Sequence, residues 1–507
     1  MSNLLSPSLS AAFAMLLVVL PIQAQDGSRY DRSNDVVAGH TATEPEAIHI
    51  TDTINRHPAA QAARASLADR QAPSLLGKTT ASYRIGQKEV FMVYNVEASN
   101  HGADVQLDPI GFTLMADGER FRLWIETTEI ENGHVRSADV ASLHAALSRQ
   151  TPARSVAPSA GILENDEMLF GSPPDVDGDG ATDVLLVDIR DGYEPGKAFV
   201  AGFVWHGDLD TQGKKGNGRD VLYIDTNPGI FRDGAPQGTH RAEATAAHEY
   251  QHLIHIAYDR DELTFVNEGL SEWAAVANGY EDHPVTYLRR PSRHGTGLLD
   301  WHDYEPNLRR SDYERARLFT TYLAQCVGAE RMRLLVQARS GGQALKGADG
   351  YQALLDASGG AALADVVMDF HTANFLNDRG IDPNYGYEDP VLQSLKVVPT
   401  QSFSGRDAKR TDGLKETLRP GAVSYLSWRH VADFEFRTAT GDGSTALRIR
   451  ALAEHADGRV EVRTFAAGGT TRSIQGDFKR VTLAVVHTDL YAGPASVSVD
   501  AVWKEGG

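Results

Sequence analysis

His248-Glu249-Tyr250-Gln251-His252 is followed, fifteen residues after His252, by Asn267-Glu268-Gly269-Leu270-Ser271-Glu272. On a helix, positions i and i+4 lie one above the other on the same face. His248 and His252 can therefore hold one ion, with Glu249 beside it. The surrounding Ala244, Ala246, Ala247, Leu253, Ile254 and Ile256 make this helix apolar and predict that it is buried. Buried imidazoles and carboxylates need partners, and metal coordination supplies them. The second stretch reads as a helix from Asn267 to Asn278. Asn267 is its expected cap, Leu270, Trp273, Ala274 and Ala277 share one face, and Gly279 ends it. Glu268 and Glu272 then fall four apart on one side.

These residue types suit hydrolytic zinc chemistry. Catalytic zinc takes three protein ligands and leaves a fourth position to water. It lowers the pKa of that water to about 7, and a nearby carboxylate takes the proton as the water attacks a carbonyl. The assignment is His248, His252 and Glu268 as zinc ligands and Glu249 as general base.

The pair of motifs resembles the gluzincin metallopeptidases, the thermolysin-like clan, and is most similar to the hyicolysin-type bacterial peptidases and relatives of immune inhibitor A. The resemblance implies that Glu268 is the third zinc ligand and that Glu272 orients a zinc-bound histidine. The fifteen residues between His252 and Glu268 are a few fewer than in thermolysin, and Glu272 falls at the longer spacing, so Glu272 stays open as the ligand. The metzincin pattern fails, because its third histidine would fall at Tyr258. The Gly-Ala-Met-Glu-Asn signature of related aminopeptidases is absent, which favours an endopeptidase. Phe170-Gly171, Asp175-Val-Asp-Gly-Asp-Gly180, Val184 to Val187 and Val221-Leu-Tyr-Ile-Asp225 also look like the segment preceding the histidine motif in this group. The likeness spans roughly residues 80 to 390.

Ala11 to Leu20 form an apolar run of ten, followed by Pro21-Ile-Gln-Ala24. This reads as a signal peptide over 1–24, too short for a membrane span, and implies a secreted or periplasmic protein. No other stretch is long enough to cross a bilayer. Cys326 is the only cysteine, so no intramolecular disulfide can form, and a small buried apolar role is expected for it. Lys and Arg number 49 against 68 Asp and Glu, a net charge of -19. That balance argues against nucleic acid and anionic membranes as partners.

The chain divides into four stretches. Residues 25–78 are polar and alanine-rich, and read as a leader or propeptide. Residues 79–395 form the expected catalytic region. It opens with strands at Glu89-Val-Phe-Met-Val-Tyr-Asn95 and Arg120-Phe-Arg-Leu-Trp-Ile-Glu126, with turns at Asn100-His-Gly102 and Asp117-Gly118 and a helix over Ala138 to Arg149. Strands at Ala198 to Trp205 and Val221 to Ile224 precede the motifs. Helices at Asp312 to Val327, Glu330 to Arg339 and Ala361 to Asn377 follow them. The fold class is α+β, a thermolysin-like catalytic domain. Residues 396–507 alternate strands with glycine-rich turns and read as a C-terminal all-β sandwich.

Weaker signals concern a second cation and the oxyanion. Asp175, Asp177, Asp179 and Asp183 occupy the first, third, fifth and ninth positions of a calcium loop, but Leu186 stands where a bidentate glutamate belongs. A calcium ion and a plain Asp/Gly turn are equally compatible with it. Tyr313 resembles an oxyanion-stabilising tyrosine of related enzymes, with His302 and Tyr304 as competitors. His255, one turn past His252, reads as a supporting or surface residue. The resulting expectation is a secreted zinc endopeptidase acting on protein or peptide substrates by Glu249-assisted attack of zinc-bound water. The rivals are a surface binding or adhesion protein with a structural metal, and a zinc hydrolase of non-peptide substrates.

Overall fold

The computed structural model describes residues 45–67, 83–99, 105–212, 215–280, 285–303, 305–441 and 445–506. The signal-peptide reading, most of the leader, the Asn100-His-Gly102 turn and Tyr304 lie outside these residues. Residues 45 to 507 cluster as one compact unit.

Its centre is a seven-stranded sheet in the order β1-β6-β7-β5-β4-β3-β2. The strands are β1 Ala47–His49, β2 Lys88–Tyr94, β3 Leu107–Asp117, β4 Phe121–Glu126, β5 Thr182–Val187, β6 Phe199–Phe203 and β7 Val221–Asp225. β4, β5 and β7 run parallel and are buried on both faces, which is why Val184 to Val187 and Val221 to Ile224 are continuous apolar runs rather than alternating ones. β6 is antiparallel to β7. β1 adds to the outer edge of β6 in parallel.

The helices are α1 Thr51–Ile54, α2 Pro58–Leu67, α3 Thr127–Glu131, α4 Ser137–Ser148, α5 Ile162–Phe170, α6 His240–Tyr258, α7 Thr264–Ala277, α8 Pro306–Val327, α9 Leu334–Gln337, α10 Gly347–Ala357 and α11 Leu363–Leu376. One core lies between the sheet and the helices, where Leu123, Val184, Leu222 and Ile224 meet Ala246, Tyr250 and Leu253 of α6. A smaller core on the opposite face joins Phe91, Trp124, Leu185, Phe203 and Tyr223 to Ile50, Ile54 and Ala60 of the 45–67 segment. Two glycines permit close approaches. A Cβ on Gly202 of β6 would lie 2.5 Å from Thr245 and 3.3 Å from Glu249 Cγ, so its absence lets α6 press against the edge strand. A Cβ on Gly269 of α7 would lie 2.6 Å from Thr320 of α8.

Short hairpins, β8 Phe231–Arg232 with β9 Ala235–Pro236 and β10 Arg339–Ser340 with β11 Gln343–Ala344, decorate the connections. The second corrects the helix expected from Glu330 to Arg339, which is confined to α9. Gly341 and Gly342, both at positive φ, turn the chain into the hairpin. α8 begins at Pro306, earlier than the expected Asp312, because proline is well suited to a first helical turn. Cys326 is exposed, not the buried apolar residue expected.

The tail strands are β12 Gln401–Ser404, β13 Arg410–Leu418, β14 Val423–Thr440, β15 Leu447–Glu454, β16 Val460–Ala466, β17 Arg472–His487 and β18 Ala495–Glu505. They form one continuous seven-stranded sheet wrapped around its own core of Trp428, Phe434, Phe436, Leu483, Val485, Val499 and Trp503. The apolar runs Val423–Trp428 and Phe434–Phe436 belong to one strand. β14 bends between them at His430 and Asp433, both at positive φ, with a register shift against β17. Alternate residues Val423, Tyr425, Ala484 and Val486 point the other way, into the core of the catalytic region. There Tyr425 donates to the His371 carbonyl and His371 Nε2 meets the Gly421 carbonyl, each at 2.8 Å.

Candidate active site

α6 places His248 and His252 on one face, and α7 packs across it to add Glu268. His248 Nε2 and His252 Nε2 are 3.1 Å apart, and Glu268 Oε2 lies 3.3 Å from the first and 3.5 Å from the second. A tetrahedral ion with bonds of about 2.0–2.1 Å requires its ligand atoms roughly 3.3 Å apart. The three atoms already stand at that spacing. Glu268 Oε2 is buried and has no hydrogen-bond donor, an orphaned acceptor that a cation would satisfy. Burial works against charge here, yet the His252 imidazole holds the Glu268 carboxyl far below its ordinary range. In return Glu268 lifts His252 to about 9 despite the burial of the ring.

The outer nitrogens are held too. His248 Nδ1 lies 3.5 Å from Glu272 Oε1, and His252 Nδ1 lies 3.2 Å from Asn267 Oδ1. Glu268, not Glu272, lies against both inner nitrogens. Asn267 was expected to cap α7, but that helix begins at Thr264 with Leu263 as its N-cap residue. Asn267 sits inside the first turn and orients His252. Ser271 of the same motif donates to Gln251 Oε1 at 2.5 Å, tying α7 to α6.

Glu249 is fully buried and both of its oxygens are engaged by residues near the N-terminus. His49 Nδ1 meets Oε1 at 2.8 Å, and the Thr51 hydroxyl donates to Oε2 at 2.7 Å. The His49 ring stacks on His248 with centroids 3.7 Å apart. Burial alone would raise the Glu249 pKa, but the His49 hydrogen bond and the neighbouring imidazoles outweigh it and hold the carboxyl below its usual range. Asp52, one residue further, accepts from Asn267 Nδ2 at 2.7 Å. Its own pKa is pushed up to about 6 by burial and by Glu268. The leader reading did not anticipate this engagement. β1 has only three residues, too short for an alternating pattern to register.

Tyr313 of α8 also reaches the site. Its hydroxyl donates to the His49 carbonyl at 3.1 Å, and its ring meets Trp301 edge-on at 4.8 Å. His302 is turned aside, with Nδ1 held 2.8 Å from Asp312. His255 is buried at 2 % exposure and is not a surface residue.

The aspartate loop comes together in part. Asp175, Asp177 and Asp179 bring ligand oxygens within 4.8 Å of one another. Asp183 faces elsewhere: it accepts from Arg122 Nε at 2.5 Å and Trp124 Nε1 at 2.8 Å. The Arg122 guanidinium also pairs with Asp179.

No family model matches the chain. It is 29 % identical over 168 residues to the neutral metalloprotease ShpI of Staphylococcus hyicus, a match covering 31 % of this chain and 37 % of that protein. The chain thus matches little more than a third of the relative's length, and the similarity supports a metallopeptidase. Among solved structures, the periplasmic g-type lysozyme inhibitors PliG of Aeromonas hydrophila and Salmonella Typhimurium align with 20 % of this chain at 11 % and 9 % identity, with TM-scores of 0.17 and 0.13. Likeness at that level assigns no fold. Among the described residues, no helix is long and apolar enough to cross a membrane.

Proposed function

We propose that this protein is a secreted, zinc-dependent endopeptidase of gluzincin type. The observation that carries the reading is the convergence of His248 Nε2, His252 Nε2 and Glu268 Oε2 at tetrahedral ligand spacing, with the Glu249 carboxylate beside them. Zinc held there would supply Lewis acidity toward a carbonyl and acidify a water to a pKa of about 7. Glu249 takes the proton of the attacking water and passes it to the leaving amine. Tyr313 donates to the developing oxyanion. Its present bond to a backbone carbonyl beside Glu249 is the ground-state likeness of that contact. Glu272 and Asn267 hold the outer nitrogens of the two histidines.

The leader reading for residues 25–78 takes a more definite form. His49 and Thr51 engage both oxygens of Glu249, the carboxylate that would meet the attacking water. We infer that the 45–67 segment restrains the enzyme until it is displaced or cut away. A calcium ion would be held by Asp175, Asp177 and Asp179.

The test is casein hydrolysis by processed protein, with Glu249→Gln beside it. Activity lost in the variant and blocked by a zinc chelator supports the reading. A folded, zinc-loaded protein inert on casein would favour a hydrolase of non-peptide substrates or a surface binding protein.

A further inference from the structure

One turn beyond His252, α6 ends at a second histidine–carboxylate grouping. His255, Asp259 and Glu262 each offer one ligand atom, and these lie within 4.8 Å of one another. His255 and Asp259 are buried, at 2 % and 6 % exposure, and Glu262 is half-buried.

Each of the three side chains is tethered by one atom and bare at the other. Asp259 accepts the Asp261 amide on Oδ1 at 3.1 Å, and Oδ2 has no partner. Glu262 accepts the Leu263 and Gly347 amides on Oε1 at 2.6 and 2.9 Å, and Oε2 has no partner. His255 Nδ1 lies 3.4 Å from the Gln251 amide, and Nε2 has no partner. Buried polar atoms without partners are rare, and three in one cluster call for a common cause. Outer bonds that fix a donor while leaving its other atom free are what metal ligands require.

Lys346 Nζ stands 3.8 Å from Asp259 Oδ1, at the tethered oxygen and not the bare one. The tautomer is also available. If Gln251 turns its amide oxygen toward His255, Nδ1–H donates to it and Nε2 keeps its lone pair. Ser271 then accepts from the Gln251 nitrogen and donates to the Asn267 carbonyl, 3.2 Å away.

We propose that His255, Asp259 and Glu262 bind a second divalent transition-metal ion, separate from the catalytic one, at the C-terminal end of α6. One imidazole with two carboxylates suits zinc, cobalt or manganese better than calcium. The ion would fasten the turn between α6 and α7, and so the helix that carries Glu268, without taking part in the reaction.

The experiment is metal counting on the full-length protein after equilibration with zinc and desalting. Wild type should hold two zinc ions per chain. His255→Ala should hold one, and so should Glu262→Gln, which preserves size should the alanine variant fail to fold. His252→Ala should keep the second ion, which separates this proposal from the catalytic reading. One ion in wild type that persists in His255→Ala overturns the proposal. Two ions undiminished in both His255→Ala and Glu262→Gln place the second elsewhere and overturn it equally.

Discussion

The motif helices α6 and α7 and the 45–67 segment meet at the same carboxylate, yet they are built in opposite ways. In α6 and α7 the chemistry is local. The histidines are one turn apart, Glu268 follows within the next helix, and both helices are anchored in the main core through Ala246, Leu253, Leu270 and Trp273. In the 45–67 segment the chemistry is remote. His49 contacts Glu249 from 200 positions away, through a three-residue strand on the sheet edge. One set of contacts follows from local spacing, the other only from the pairing of distant parts of the chain.

The largest effect should come from the motif helices. Glu249→Gln should cut casein turnover by about 10²–10⁴-fold while leaving bound zinc unchanged. Loss of zinc in that variant would mean that Glu249 is structural. Tyr313→Phe should lower turnover by about 10²-fold with KM little altered, measured on a chain lacking the 45–67 segment so that the His49 contact does not intrude. Unchanged turnover would remove Tyr313 from the site. Asn267→Ala should weaken zinc binding by about 10–100-fold in a chelator competition, because His252 loses the partner of its outer nitrogen.

The 45–67 segment should respond with the opposite sign. His49→Ala with Thr51→Ala in the full-length chain should raise casein hydrolysis by about tenfold, since a hydrogen bond to a charged group contributes roughly 1.5–3 kcal/mol. A fall in activity would instead make His49 part of the catalytic apparatus and erase the contrast. The smallest effect belongs to the aspartate loop. If calcium binds there, it should raise Tm by about 2 °C, and Asp177→Asn should abolish the shift.

Sequence spacing carried the reading furthest where contacts are short-range. His248, Glu249 and His252 share one helix, whose geometry sets their relative positions, and Glu268 joins them through the packing of α7 on α6. Of the central sheet, β2, β4, β6 and β7 were legible as strands and β5 as an apolar run, whereas β1 and β3 were not. Asn267 was misread because a cap and an orienting residue use the same amide, and only the true start of α7 at Thr264 separates them. Asp183 was misread because Arg122, far off in sequence, claims it. His49, Thr51 and Asp52 carry no local signal, since their contacts with Glu249 and Asn267 are long-range. The bend that makes one strand of Val423 to Thr440 was likewise hidden, as His430 and Asp433 look like turn residues.

The shared core at Val423, Tyr425, Ala484 and Val486 has a consequence for the lifetime of the molecule among other peptidases. A cut near residue 400 would free nothing, because both sides of the break stay bound through one apolar interior, so the tail outlasts a single nick in the chain that leads to it.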